Sequence, residues 1–256
     1  MKNLLKSDFY RLFKSKSYYI CMLVAAALII VGLVISNALS NQDVAYATLL
    51  NKDGMSYGLK IFGDGNVIMI MSIFISIFVT AEFSQGTMKN VVSKGFSKVQ
   101  VYLSKLVTMT VATYIAFLVA FIVSVVGGSI ITGKLGDFTG AFVGIAMKTI
   151  GIELLLTLAM TAVFVMIAMV FKNLGGVIAI NIIGVFTFLN LIFSALQYLV
   201  DNKIKFTEFS LSYNMSLYGV DQVAGSIFLR STIVGLVFLA VFTALGLWLF
   251  KKADVK

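Results

Sequence analysis

The sequence contains no histidine, no proline and a single cysteine in 256 residues, and only 12% of it is charged. Without histidine there is no Ser-His-Asp triad, no His-ligated metal and no H-E-x-x-H metalloprotease motif. One cysteine cannot form a disulfide framework, and Cys21 reads as a buried small apolar residue near one end of a membrane helix. The absence of proline, which membrane helices commonly tolerate, predicts spans without kinks. What remains is overwhelmingly apolar: 60% of residues are hydrophobic and the mean hydropathy is +1.01, which is not a soluble composition. Transport, channel activity or a structural role in the bilayer are the classes left.

A helix crossing a hydrocarbon core of about 30 Å needs roughly 20 apolar residues. Six runs of that kind occur, at 18–38, 67–81, 106–131, 142–171, 174–199 and 232–250. The second is short unless Ile61 and Phe62 join it, and the fourth is long enough to tilt. The runs are continuous and do not alternate, which argues against a β-barrel. No small-x-small cleavage site follows the first run, so no cleavable signal peptide is expected. The fold class is thus an all-α integral membrane protein of six transmembrane helices, read as one domain over 1–256.

The excess of 20 Lys and Arg over 11 Asp and Glu would suggest nucleic acid in a soluble domain, but here it orients the chain and no nucleic acid partner is expected. If the amino terminus is inside, the inner segments hold Lys2, Lys6, Arg11, Lys14 and Lys16, then Lys89, Lys94, Lys98 and Lys105, then Lys172, Lys251, Lys252 and Lys256. The outer segments hold seven bases, Lys52, Lys60, Lys134, Lys148, Lys203, Lys205 and Arg230, and also seven acids. Both termini are therefore expected in the cytoplasm.

Residues 1–16 place Leu5, Phe9, Leu12 and Phe13 on one helical face, opposite Lys2, Lys6 and Lys14, with Arg11 between. This pattern predicts a helix lying in the inner membrane interface against lipid, or the charged flank that orients span one. Residues 201–229 carry Phe206, Phe209, Tyr213 and Tyr218 and are expected to be partly folded on the outer face. Gly140 and Gly144 form a small-xxx-small pair that predicts close helix packing.

Two motifs fail on inspection. Gly128, Gly133 and Lys134 match most of a phosphate loop, but Leu135 stands where a hydroxyl must bind Mg²⁺ and no strand precedes it. Gly63-Asp64 and Gly136-Asp137 resemble the pairs of an intramembrane aspartyl protease, yet both aspartates fall outside the apolar runs.

One carboxylate does lie well inside an apolar run. Glu153 costs about 2.5 kcal/mol or more at midplane, so it must face protein or water. Thr149, Glu153, Thr157 and Thr161 recur every four residues and share one face; Ser72, Ser76 and Thr80 do the same on span two. Asn190, Ser194 and Gln197, with Asn181 deeper, do so on span five. Such stripes predict hydrogen-bonded helix contacts or a wettable cavity, and Thr149, Glu153, Thr157, Asn181 and Asn190 are the candidate path residues. For Glu153 two readings stand, a substrate-path or outer-gate residue and an interfacial residue paired with Lys148.

From Glu82 the chain reads E-F-S-Q-G-T-M-K-N-V-V-S-K-G-F-S-K-V-Q-V-Y-L-S-K, in which Phe83, Val91, Val92, Phe96 and Val99 are apolar knobs suited to docking in a groove. Segment 82–105 resembles the E-[FY]-x-x-G-T-x-[KR] signature after the second span of ABC-2 type transporter permeases. Glu82, Phe83, Gly86, Thr87 and Lys89 match it position for position, and Ser93, Gly95, Ser97, Lys98, Tyr102 and Lys105 fit its looser continuation. The basic amino-terminal helix and the six spans are also similar to that family.

The resemblance implies a bacterial cytoplasmic membrane permease working as a dimer, with itself or a homologous permease, and two cytoplasmic ATP-binding cassette ATPase subunits. Segment 82–105 would carry the coupling helix. Glu82 and Lys89 would pair with charged groups of the ATPase or of the amino-terminal helix, Phe83 would pack, and Gly86 would end the span and turn the loop. ATP and Mg²⁺ would be held by the partner, with no cofactor on this chain and no enzymatic activity of its own. Among such permeases the chain is similar to small exporters of amphipathic peptides, including bacteriocin and lantibiotic immunity transporters and exporters of phenol-soluble modulins; drugs or lipid-linked molecules remain alternatives. Two other classes stay open on the residues alone: a secondary transporter using Glu153 as proton carrier, and a structural or sensory membrane protein.

Overall fold

In the computed structural model, residues 1–40, 53–136, 138–201, 203–218 and 225–253 are described, and helix dominates throughout. Lys52, Asp137, Lys256, the side chain of Val92 and positions 202 and 219–224 of the 201–229 segment lie outside the described residues. The helices are α1 (Lys2–Lys14), α2 (Lys16–Ser40), α3 (Gly54–Gly63), α4 (Asn66–Ser84), α5 (Thr87–Ser93), α6 (Lys98–Thr132) and α7 (Gly140–Phe171). They are followed by α8 (Leu174–Leu199), α9 (Leu211–Ser216) and α10 (Gly225–Lys252). Six of these, α2, α4, α6, α7, α8 and α10, are long and apolar enough to cross a membrane, as the sequence predicts.

These spans are not equivalent. The apolar windows of α4 and α7 are 67% buried, against 17% for α2 and α8 and 22% for α10, so α4 and α7 form the centre and the others wrap it. Both central helices carry polar stripes, as does the peripheral α8. Lipid supplies no hydrophobic drive between helices, and hydroxyl-bearing faces turn toward protein instead. On α4 the hydroxyls are satisfied along their own helix, Ser76 donating to the Ser72 carbonyl (2.7 Å) and Thr80 to that of Ser76 (2.7 Å), and on α7 Thr161 donates to the Thr157 carbonyl (2.8 Å). Between helices, Tyr18 Oη reaches the Ala112 carbonyl (2.8 Å) and Tyr114 Oη the Leu154 carbonyl (2.8 Å), fastening α2 and α7 to α6.

Several expectations are corrected. Ile61 and Phe62 do not extend span two. They belong to α3, a separate short helix ended by Gly65 in the left-handed conformation (φ 71°). Helix α3 wedges against α6 through glycine: a Cβ on Gly58 would stand 2.4 Å from Val125, and one on Gly128 2.6 Å from the Tyr57 ring. The predicted Gly140–Gly144 packing is absent, since both are exposed with nothing within 4 Å of an added Cβ. The spans are not all regular either. Helix α8 widens to π-helix over Ile180–Phe188 despite the absence of proline. Cys21 is half-buried.

The face of α1 is also rotated from the one expected. Leu4, Asp8 and Leu12 are buried against the bundle, Leu5 and Phe9 lie half-buried along its edge, and Phe13 is exposed and stacked with Phe9 (centroids 6.5 Å apart). An acid inside a buried face requires a counter-charge, and α6 provides one. Finally, 82–105 is not one loop. Glu82 sits in the last turn of α4, and Lys98 to Lys105 form the first two turns of α6, which opens with a capping box between Ser97 and Gln100.

Candidate functional site

Because six spans alternate in direction, the amino terminus, the α4–α6 connection, the α7–α8 turn and the end of α10 share one end of the bundle, here the near end. Four charged groups converge there. Lys105 of α6 bridges Asp8 of α1 and Glu82 of α4, and Arg11 of α1 pairs with the same Glu82 oxygen. Ser104 Oγ donates to the second Asp8 oxygen at 2.5 Å, and Arg11 Nη2 donates to the Phe78 carbonyl at 2.9 Å with its guanidinium 3.9 Å above the Phe78 ring. Asp8, Glu82 and Lys105 are buried; Arg11 is partly exposed. Two acids and two bases cancel, which is what allows so much charge to be enclosed. Glu82 was expected to pair with the ATPase or with the amino-terminal helix, and the structure turns it inward, onto that helix.

The chain leaves this cluster through Gly86, at φ 66°, a left-handed conformation that glycine adopts without strain. Thr87 Oγ1 donates back to the Glu82 carbonyl (3.3 Å), and α5 follows. Helix α5 is anchored by buried Met88, while Lys89, Asn90, Ser93 and Lys94 are exposed. Phe83 packs edge-on to Phe250 at the end of α10 (6.4 Å), with the Lys172 ammonium 5.5 Å from its ring. Lys98 also points inward: its ammonium donates to the carbonyls of Lys251 (3.0 Å) and Ala253 (2.7 Å), completing the C-terminal end of α10. Thus Glu82, Phe83 and Lys98 are internal struts, Gly86 and Thr87 form the turn, and Lys89 and Ser93 face outward.

Deeper in the bundle the α7 stripe is enclosed, with Thr149, Glu153, Thr157 and Thr161 all buried. Both Glu153 oxygens and Thr157 Oγ1 lack hydrogen-bond partners. The pairing with Lys148 does not occur, since Lys148 is exposed and no ion pair joins the two. Asn181, in the π-helical stretch, donates to Ser76 Oγ (2.9 Å) and ties α8 to α4. Asn190 instead serves the far-end segment, accepting from Ser210 Oγ at 2.5 Å.

That far-end segment is folded, in a 3-10 turn at Phe206–Phe209 followed by α9. Asn214 is its hub: its amide donates to the carbonyls of Glu208 and Ser210 (2.7 Å each), and its oxygen accepts from Ser231 of α10 at 2.7 Å. Arg230 pairs with Glu208. Burial pushes the Tyr218 phenol up from its ordinary value, and the nearby Glu153 carboxylate adds to this, while Ser231 and Arg230 act in the opposite sense.

Asp8, Ser104, Asn214 and Ser231 escaped the sequence reading. For Asp8 there was a signal: it is the lone acid of a basic helix, at i+4 from both Leu4 and Leu12. The phosphate-loop look-alike has a structural explanation, because Gly128 admits the Tyr57 ring and Gly133 (φ 68°) caps α6. Among the described residues no group of three or more His, Cys, Asp or Glu could hold a metal ion.

No curated protein matches the chain. A family model described as ABC-2 family transporter protein matches residues 4–190, well over half of the sequence, and takes in most of α1, the charged cluster and α5. The chain therefore belongs to the ABC-2 family of transporter proteins, whose members are membrane-spanning subunits that work with an ATP-binding cassette partner.

Proposed function

We propose that this chain is the membrane half of an ATP-driven exporter, paired with a second permease copy and with two ATPase subunits that dock on the exposed face of α5, both termini being cytoplasmic. The observation that carries the reading is the Asp8–Lys105–Glu82–Arg11 cluster. It sits directly above the α5 turn and joins α1, α4 and α6, so a push on Lys89, Asn90 and Ser93 has a charged strut through which to reach a central span and a peripheral one. Rigid transmission of domain closure is the mode such a strut suits. ATP and Mg²⁺ belong to the partner on this reading, and this chain supplies the path.

For the cargo, an amphipathic peptide fits best. Twelve Met and 22 Phe give adaptable apolar surfaces, and Thr149, Glu153, Thr157, Asn181 and Asn190 are the polar groups available to a path between copies. The test is a charge reversal, Lys89→Glu with Lys94→Glu, on side chains that touch nothing in the core. Purified gently from native membranes, the wild type should bring an ATP-binding cassette ATPase identified by mass spectrometry, and the variant should lose it while remaining folded. Equal recovery from both would refute docking at α5. A second reading, proton-coupled transport, is favoured by one observation only, the unpartnered Glu153. It predicts pH-driven flux without ATP that Glu153→Gln abolishes.

A further inference from the structure

Spans α6, α7 and α10 enclose a groove of about 640 Å³ at the membrane-facing surface. Its long wall is one face of α10: Leu236, Leu239, Ala240, Thr243, Ala244 and Leu247. The opposite wall is Leu106, Val107, Thr110 and Val111 of α6, and Leu158 of α7 is the third contributor. The two alanines are exposed and make the trough, because each leaves room that a larger side chain would fill. From Leu236 to Leu247 the α10 wall rises about 16 Å at 1.5 Å per residue. That is about half of a 30 Å hydrocarbon core, the depth of a single leaflet.

The near-end foot of this groove is positively charged. Tyr102 lies across Gly246, where an added Cβ would be 2.2 Å from its hydroxyl, so α6 and α10 come into close contact toward this end. Lys251 continues the groove face four residues beyond Leu247, both Lys251 and Lys252 are exposed, and the Lys252 ammonium sits 4.0 Å from the Trp248 ring. Trp248 is itself 53% exposed, the placement of an indole at headgroup level. Lys98 adds a third ammonium, whose hydrogen bonds go to uncharged carbonyls. Among the described residues none of these three lysines has an ion-pair partner.

We propose that this groove holds one phospholipid of the near-end leaflet, its acyl chain between α6 and α10 and its anionic headgroup on Lys251 and Lys252. An apolar trough one leaflet deep that ends at unpaired lysines beside an interfacial tryptophan matches an anionic lipid in length and in charge. A second copy of the chain matches less well, since by two-fold symmetry it would bring its own lysines against these. The assignment is independent of what the protein transports.

The test compares wild type with two variants whose changes fall on exposed positions, Lys251→Glu/Lys252→Glu at the headgroup and Ala240→Phe in the trough. Each is reconstituted in nanodiscs of equal phosphatidylcholine and phosphatidylglycerol, re-extracted, and analysed by native mass spectrometry for retained lipid. Wild type should retain one phosphatidylglycerol per chain. The charge reversal should reduce this at least about tenfold, since each lysine near the surface contributes roughly 1 kcal/mol to anionic lipid binding. Ala240→Phe should reduce retention of both lipids, and Lys134→Glu at the far end should change nothing. Undiminished phosphatidylglycerol in both variants, or equal retention of the two lipids by wild type, would overturn the proposal. So would a dimer in which Ala240→Phe breaks the association between chains, because the groove would then be a protein interface.

Discussion

Removal of Lys105 should be the most damaging single change at the near end. It is 1% exposed, it is the only base of the cluster that touches both Asp8 and Glu82, and Lys105→Met would leave two enclosed carboxylates with Arg11 alone. Breaking a buried pair from one side costs about 3–5 kcal/mol, because the abandoned charge cannot reach water. Arg11 is different: its side chain is 38% exposed, and Glu82 keeps Lys105 when it is lost. Arg11→Ala should therefore cost about 1 kcal/mol from the ion pair, plus its packing on Phe78. Apolar replacement of both partners, Asp8→Leu with Lys105→Met, removes the orphaned charge and should recover part of the loss, leaving Glu82 paired with Arg11. Thermal unfolding of the four proteins in one detergent, followed by size-exclusion fluorescence, would rank them. If Arg11→Ala proved more harmful than Lys105→Met, or the double variant no better than the single, the cluster would not be the strut described here.

Other consequences are equally specific. Gly128→Ala puts a Cβ within 2.6 Å of the Tyr57 ring and should destabilise by about 1–3 kcal/mol in the same assay, whereas Gly144→Ala, facing open space, should be neutral. Gly86→Val forces a branched residue into φ 66° and should cost about 1–2 kcal/mol at the α5 turn, lowering ATPase recovery more than it lowers the unfolding temperature. Because neither Glu153 oxygen has a partner, Glu153→Leu should leave the unfolding temperature unchanged or raised while transport falls. Lys98→Met frees two carbonyls at the end of α10, and hydrogen exchange should accelerate at Lys252 and Ala253 but not at Ser231.

Much of this architecture was legible in the sequence, for a physical reason: the bilayer demands long apolar runs, and such runs are conspicuous. The Glu82–Lys105 signature was likewise readable because its residues are contiguous. What stayed hidden depends on partners distant along the chain. Asp8 disappears in a count of basic residues, and only the approach of Lys105 gives it a role. Gly140 and Gly144 satisfied a local pattern without a neighbour to pack on, whereas Gly54 and Gly58, a pair of the same spacing in a helix too short to span, carry the α3–α6 contact together with Gly128. Helix α3 is only ten residues long, too short to stand out as a span, so the sequence left open whether Ile61 and Phe62 belong to span two. The π-helical turn of α8 carries no proline to announce it, and the Asn214–Ser231 bond joins residues 17 apart that no local spacing pairs.

The central claim is that α5 presents its outer face to an ATPase, and crosslinking tests it most directly. Ser93→Cys places a thiol on that exposed face in a protein whose native cysteine, Cys21, lies half-buried in α2. Treated with a short bifunctional thiol–amine reagent in native membranes, the variant should yield a product containing an ATP-binding cassette ATPase, and the far-end control Lys134→Cys should not. An ATPase captured at Lys134 and not at Ser93, or at neither, would contradict the account.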